Sequence, residues 1–210
     1  MHVTLIGTGN MARGLGNRVL AGGHDLTTVV GKDEQRAEAV AADLGGQGRV
    51  GTAVDGDPIE GEVVVLAVYY PDARAAVEQY ADQLAGKVVV DITNPVNATF
   101  DGLVVSPDGS ATNELAGLAP DARFVKAFNT TFAGPLTRGE VDGQTLDVLI
   151  AGDDEDAKAQ VAALARDGGL KPIDVGPQAR ARELEAMGLL HLGVQNTLGT
   201  GFASALKIVG

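Results

Sequence analysis

The 210-residue chain contains no cysteine and no tryptophan, three histidines, and few aromatic side chains of any kind (4%). Without cysteine there is no disulfide, no thiolate metal ligand and no thiol nucleophile, which fits a reducing, cytoplasmic compartment. Cations are also scarce: 16 Lys and Arg stand against 28 Asp and Glu, a formal net charge of −12. A nucleic-acid partner needs a basic stripe and is not expected here. An anionic ligand would need the few cations gathered at its site, so their placement is informative. No apolar run reaches the roughly 20 residues that cross a bilayer. The start "MHVTLIG" has no basic leader and enters a strand at once, so no signal peptide or membrane partner is expected. At this length the chain buries about 70% of its unfolded surface and needs no staples.

What is present is an alternation. "HVTLI", "DLTTVV", "RVGT", "EVVVLAV" and "KVVVDI" are short β-rich runs. Between them lie helical segments at 10–22, 33–46 and 71–86. Such alternation predicts right-handed βαβ units, and so a Rossmann-type, doubly wound, mostly parallel sheet with helices on both faces. Past Asn94-Pro95 the pattern loosens. "GSATNELAGLA" reads as a short helix capped by Ser110 or Thr112, and "ARFVKAF", "LDVLIAG" and "LKPIDVG" as strands. A helix over "DDEDAKAQVAALARDGG" and a long last helix from about Gln178 to Leu206 complete a small C-terminal α/β extension. Residues 131–145 are the best boundary, dividing a cofactor domain at 1–135 from a small acceptor and dimerisation part at 136–210.

Gly7, Gly9 and Ala12 form a G-x-G-x-x-A pattern between the first strand and the first helix. Gly7 permits the tight turn, Gly9 lets backbone approach a pyrophosphate, and Ala12 allows close helix–strand packing. Thr8, Asn10 and Met11 complete the turn, and the helix N-terminus offers free N–H groups to an anion. NAD binders place an acid at the tip of the second strand. Here the tip is Val30-Gly31-Lys32, with Arg36 four residues on, a pair that suits the 2′-phosphate of NADP(H). Asp33 is the competing candidate, as a ribose acid.

Ligands of such sheets sit beyond the strand carboxyl ends. The loops there offer Val68, Tyr69 and Tyr70; Thr93, Asn94 and Pro95; and Ala127, Phe128, Asn129, Thr130 and Thr131. These hold flat rings and carboxamides well and are poor acid–base groups. His24 reads as a turn residue. His191 falls on the apolar stripe Leu184, Met187, His191, Val194, Leu198 and Phe202, as a core or interface histidine. "DDED" at 153–156 complements a helix start rather than forming a metal site. No catalytic residue in the acid–base sense and no metal ligand is therefore assigned. A nicotinamide site of this kind transfers hydride by holding two rings together, with no dedicated acid–base dyad.

The runs "TLIGTGNMARGL", "GHDLTTVVG", "VVVDITNPV", "FVKAFNT", "LIAGDDEDAK" and "PIDVGPQARARELE" together resemble the NADP-dependent reductases of the deazaflavin coenzyme F420, in order and over nearly the whole chain. The resemblance implies a homodimer exchanging hydride directly between NADP(H) and F420 as co-substrate. It places Thr8, Gly9, Asn10 and Met11 on the pyrophosphate, Lys32 and Arg36 on the 2′-phosphate, and Asn94, Pro95 and the "AFNTT" loop near the rings. Two stretches depart from the family: Val68-Tyr69-Tyr70 stands where an Ile-Pro-Trp-like sequence is common, and Gly31 and Asp33 thin the basic loop. The same module occurs in flavin-linked membrane metal reductases, so reduction of a flavin, or of a small carbonyl or imine, is the alternative, with a non-catalytic NADP-binding module as a third. "GNMA" also resembles pyrroline-5-carboxylate reductases, whose larger helical domain and S-G-x-G-P-type stretch are absent. Lys126, Arg180 and Arg182 are candidate cations for an anionic acceptor tail. Gly188, Gly193, Gly199 and Gly201 in the last helix imply close packing there and a dimer built partly on it.

Replacing Lys32 and Arg36 together by alanine is expected to raise the KM for NADPH more than tenfold and to leave NADH nearly unchanged, since charge-assisted hydrogen bonds are worth about 1.5–3 kcal/mol each. Steady-state kinetics with both nucleotides check this, and an unchanged preference would refute the assignment.

Overall fold

Each β-branched run of the first half becomes a strand and each Ala- and charge-rich segment a helix. The structure is a computed structural model that describes residues 1–30, 33–45, 50–54 and 56–209. In chain order these are β1 (His2–Ile6), α1 (Asn10–Ala21), β2 (Asp25–Val30), α2 (Glu34–Leu44), β3 (Val50–Val54), β4 (Val63–Leu66), α3 (Tyr70–Leu84), β5 (Val88–Asp91), α4 (Ala111–Leu118) and β6 (Arg123–Lys126). There follow α5 (Ala133–Arg138), β7 (Glu140–Val141), β8 (Gln144–Thr145), β9 (Asp147–Gly152), α6 (Glu155–Asp167), β10 (Lys171–Gly176), α7 (Ala181–Gly193) and α8 (Gln195–Leu198).

Eight strands form one sheet in the order β10-β9-β6-β5-β4-β1-β2-β3. The six strands from β6 across to β3 are parallel, β9 joins β6 antiparallel, and β10 runs parallel to β9. Apolar side chains of α1, α2, α5 and α6 pack on one face. Those of α3 and α4 pack on the other. Buried on both sides, β4 and β5 are continuous runs, Val63-Val64-Val65-Leu66 and Val88-Val89-Val90, as parallel central strands require. Leu184 of α7 packs on Leu149 and Ala151 of β9.

One stretch adds elements to the sequence expectation and another differs from it. Residues 131–145 hold α5 and the β7–β8 hairpin. Asp142 and Gly143, with φ of 51° and 73°, form its turn, the Asp-Gly pairing that two-residue hairpins favour. The helix expected over 178–206 is divided. A 3₁₀ turn at Gln178–Arg180 precedes α7, and α8 ends at Gly199, where φ is 64°.

The glycines of this region have unequal roles. A Cβ on Gly188 would overlap the side-chain amide of Asn94, so its absence lets α7 approach the end of β5. A Cβ on Gly193 would meet nothing within 4 Å. Gly188→Ala is therefore expected to lower stability by about 1–3 kcal/mol through overpacking. Gly193→Ala should be neutral or stabilising. Urea midpoints of the two variants check the contrast, and equal effects would contradict it.

Candidate functional site at the strand carboxyl ends

β1 ends at Ile6 and the chain turns at Gly7, whose φ is +130°. A Cβ there would overlap the Ala67 carbonyl oxygen just past β4, so only glycine lets the ends of β1 and β4 run this close. Chain connectivity leaves β1 toward β2 on one side and the sheet continues to β4 on the other, the crevice where open α/β sheets bind ligands.

Gly9 is exposed and takes the N-cap position of α1 in an extended conformation, with no side chain capping the helix. A Cβ on Gly9 would meet nothing within 4 Å. Thr8 is half-buried, Asn10 exposed, and Met11 packs its side chain on the core while its backbone stays in the first turn. Ala12 is fully buried, as the helix–strand packing argument requires. The uncapped N–H groups and the positive end of the helix dipole make this turn a fit for a pyrophosphate.

Gly31 and Lys32 lie outside the described residues. Arg36, in the first turn of α2, has a side chain 74% exposed, its Nε 3.7 Å from Asp33 Oδ2. Asp33 is the N-cap of α2: its Oδ1 accepts from the Arg36 backbone N–H at 3.1 Å. That carboxylate is thus engaged at the helix start, which competes with the alternative role of ribose acid.

After β4, Val68 is half-buried beside Gly7 and Tyr69 is 80% exposed. Tyr70 behaves differently from the open-walled position expected for it. Its ring is buried with the α3–α4 core and its hydroxyl donates to Glu114. Burial, then Glu114, pushes the phenol up to about 12.

The ends of β5 and β6 are stitched together. Asn94 Nδ2 donates to the Asn129 carbonyl at 2.8 Å, and Asn129 Nδ2 donates to Asn94 Oδ1 at 2.9 Å and to the Leu184 carbonyl of α7 at 2.8 Å. Pro95 and Ala127 are buried. Phe128 is buried with φ of 59°, and Thr131 Oγ1 closes the turn on the Phe128 carbonyl. Two buried polar atoms here, Asn129 Oδ1 and Thr93 Oγ1, have no hydrogen-bond partner. A flat ring bearing a carboxamide carries both donors and acceptors for such atoms.

Beneath this layer lies an ion cluster that sequence reasoning missed. Lys126 Nζ, with no solvent exposure, donates to Asp91 Oδ2 (2.9 Å), Glu185 Oε1 (2.9 Å) and the Thr93 carbonyl (2.6 Å). Glu185 Oε2 accepts from the Ala111 N–H at the start of α4, and Thr112 Oγ1 donates to Asp91. Burial pushes the Glu185 carboxyl up in spite of Lys126. Lys126, a candidate cation for an acceptor tail, is therefore sealed inside. Arg180 and Arg182 remain half-exposed, 4.0 Å from Glu183 and 3.6 Å from Asp108. Three of the four acids of "DDED" are engaged: Asp153 accepts from the Gln178 N–H, Asp154 caps α6, and Glu155 pairs with Lys158. Among the described residues no group of three or more His, Asp or Glu is placed to hold a metal.

The family described as NADP oxidoreductase, coenzyme F420-dependent, matches residues 2–95. An F420-dependent NADP reductase of Methanocaldococcus jannaschii is 32% identical over 152 residues, covering 68% of this chain and 67% of the relative. The chain belongs to the coenzyme F420-dependent NADP oxidoreductase family. Among solved structures, an Arthrobacter sp. FB24 protein named as a candidate F420-dependent NADP-reductase superposes with a TM-score of 0.86 at 28% identity, over 99% of both chains. The rat Metalloreductase STEAP3 is 35% identical over 188 residues, which is 89% of this chain and 36% of that longer protein. The chain thus spans about a third of one relative and two thirds of another. The span matched by the F420-dependent oxidoreductase family holds the glycine turn, Arg36, Val68–Tyr70 and Asn94-Pro95, while Ala127 and Asn129 lie beyond it.

His191 is buried: Nδ1 lies 3.2 Å from the Thr130 carbonyl, Nε2 2.9 Å from Ser204 Oγ, and the ring 4.3 Å from that of Phe132. Burial lowers its pKa below the ordinary 6.5. Below pH 6.5 the unfolded chain takes up a proton that the folded chain refuses, so stability is expected to fall as pH drops through that region. Urea midpoints at pH 7.5 and 5.5 measure the difference, and His191→Gln should reduce it. An undiminished difference in the variant would contradict this.

Proposed function

We propose that the chain is an oxidoreductase that transfers hydride between NADP(H) and the deazaflavin F420 by proximity of the two rings. One observation carries the reading: an uncapped glycine turn opens onto strand ends whose buried ionisable groups are bound to one another. Lys126 is saturated by Asp91, Glu185 and Thr93, Tyr70 is tied to Glu114, and His191 is enclosed. Such a surface orients rings and excludes water; it does not shuttle protons.

Gly7, Thr8, Gly9, Asn10 and Met11 would hold the pyrophosphate, and Gly31, Lys32 and Arg36 the 2′-phosphate. Val68 and the exposed ring of Tyr69 would flank the nicotinamide, with Tyr70 bracing the turn from within. Asn94, Pro95, Ala127 and Asn129 would form the floor, where Thr93 Oγ1 and Asn129 Oδ1 would face the carboxamide. NADP(H), when bound, supplies or receives the hydride at its nicotinamide. Residues 136–210 would complete the acceptor side. Exposed Leu190, Leu198 and Phe202 would form a homodimer contact in the cytoplasm.

Mixing the protein with NADPH and F420 should bleach the deazaflavin absorbance at the rate of NADP⁺ formation. Nucleotide binding without exchange would overturn the reading. The likeness to a metalloreductase favours one alternative, hydride delivery to another acceptor such as ordinary flavin. A panel of flavins, carbonyls and imines offered beside F420 separates the two.

A further inference from the structure

Arg13 comes directly after the small Ala12 of the glycine turn. Its side chain, 33% exposed, reaches back along α1. Nη1 donates to the Thr8 carbonyl at 2.5 Å and Nε donates to Asp43 Oδ2 at 2.8 Å. Asp43 stands in the last turn of α2, so the guanidinium links the glycine turn to the neighbouring helix. Arginine suits this task because its donors form a rigid planar fork.

The Thr8 carbonyl matters because it belongs to the peptide that joins Thr8 to Gly9. Gly9 has no side chain to anchor it and open space around its Cβ position. A planar trans peptide points its carbonyl and its N–H in opposite directions. Fixing the Thr8 carbonyl on the Arg13 side therefore turns the Gly9 N–H to the opposite side of the turn.

We infer that Arg13, itself held by Asp43, is a positioning residue for pyrophosphate: it locks the Thr8–Gly9 peptide in the orientation that presents the Gly9 N–H to a diphosphate. The inference rests on the proposed NADP(H) binding at this turn. A purely electrostatic role for Arg13 makes the opposite forecast for its partner. Asp43→Asn removes a negative charge near the turn, which would tighten anion binding if charge alone mattered, whereas it loosens the fork and weakens binding if orientation matters.

Titration calorimetry with NADP⁺ and with adenosine 2′-monophosphate, which lacks the diphosphate, tests this on wild type, Arg13→Gln and Asp43→Asn. Arg13→Gln should weaken NADP⁺ by about tenfold, the scale of one charge-assisted hydrogen bond. Asp43→Asn should weaken it less, Arg13→Lys should recover part of the loss, and adenosine 2′-monophosphate should bind all variants alike. Equal losses for both ligands, tighter NADP⁺ binding by Asp43→Asn, or unchanged NADP⁺ binding by Arg13→Gln would each overturn the inference and leave the NADP assignment standing. Wild-type protein that binds neither ligand would overturn both.

Discussion

The carboxyl ends of β5 and β6 depend on one buried ammonium group. Lys126 has three N–H donors and three acceptors around it, on β5, on α7 and on the Thr93 carbonyl. Each carboxylate is satisfied again from outside: Asp91 by the Thr93 N–H and Thr112, Glu185 by the α4 start. Taking these charges out of water costs several kcal/mol per ion, so the cluster adds little net stability. Removing one partner, however, would leave an uncompensated charge at a cost of about 3–5 kcal/mol. The arrangement thus fixes geometry. It binds β5, β6, α4 and α7 at the level where Asn94 and Asn129 exchange hydrogen bonds.

The other half of the site depends on sterics rather than charge. Gly7 lets β1 and β4 converge, and the convergence aims the first turn of α1 across the crevice. A rigid floor on one side and a bare helix start on the other suit a ligand with a flat ring at one end and phosphates in the middle. That complementarity is what the family relationship leads one to expect.

Much of this was legible in the sequence because the signals are local. The strand-turn-helix around Gly7 and Gly9, a hydroxyl cap for α4 at Ser110 or Thr112 (Ser110 in the structure) and the all-apolar central strands follow from spacing and residue type. The hairpin at Asp142-Gly143 carried an equally local signal, obscured because its strands have two residues each. The apolar stripe of the last helix continues past Gly199, where a positive φ stops the helix, so the stripe alone reads too long. The ion cluster is a different case. Asp91 and Lys126 end adjacent apolar strands and are register partners, so opposite charges in neighbouring buried runs were a usable hint. Glu185, 59 residues further along, was not, because only the tertiary fold brings α7 there. Tyr70 is a related case: it is the first residue of α3 and heads the buried stripe Ala73, Val77, Tyr80 and Leu84, while Tyr69, the N-cap, stays outside.

The central claim is direct transfer between two rings held together without protein acid–base chemistry. Isotope transfer tests it most directly. NADPH carrying deuterium at the transferred position of C4 should deliver the label to reduced F420 without dilution in ordinary water. Reduction with the label lost to solvent, or with the label on neither product, would contradict it.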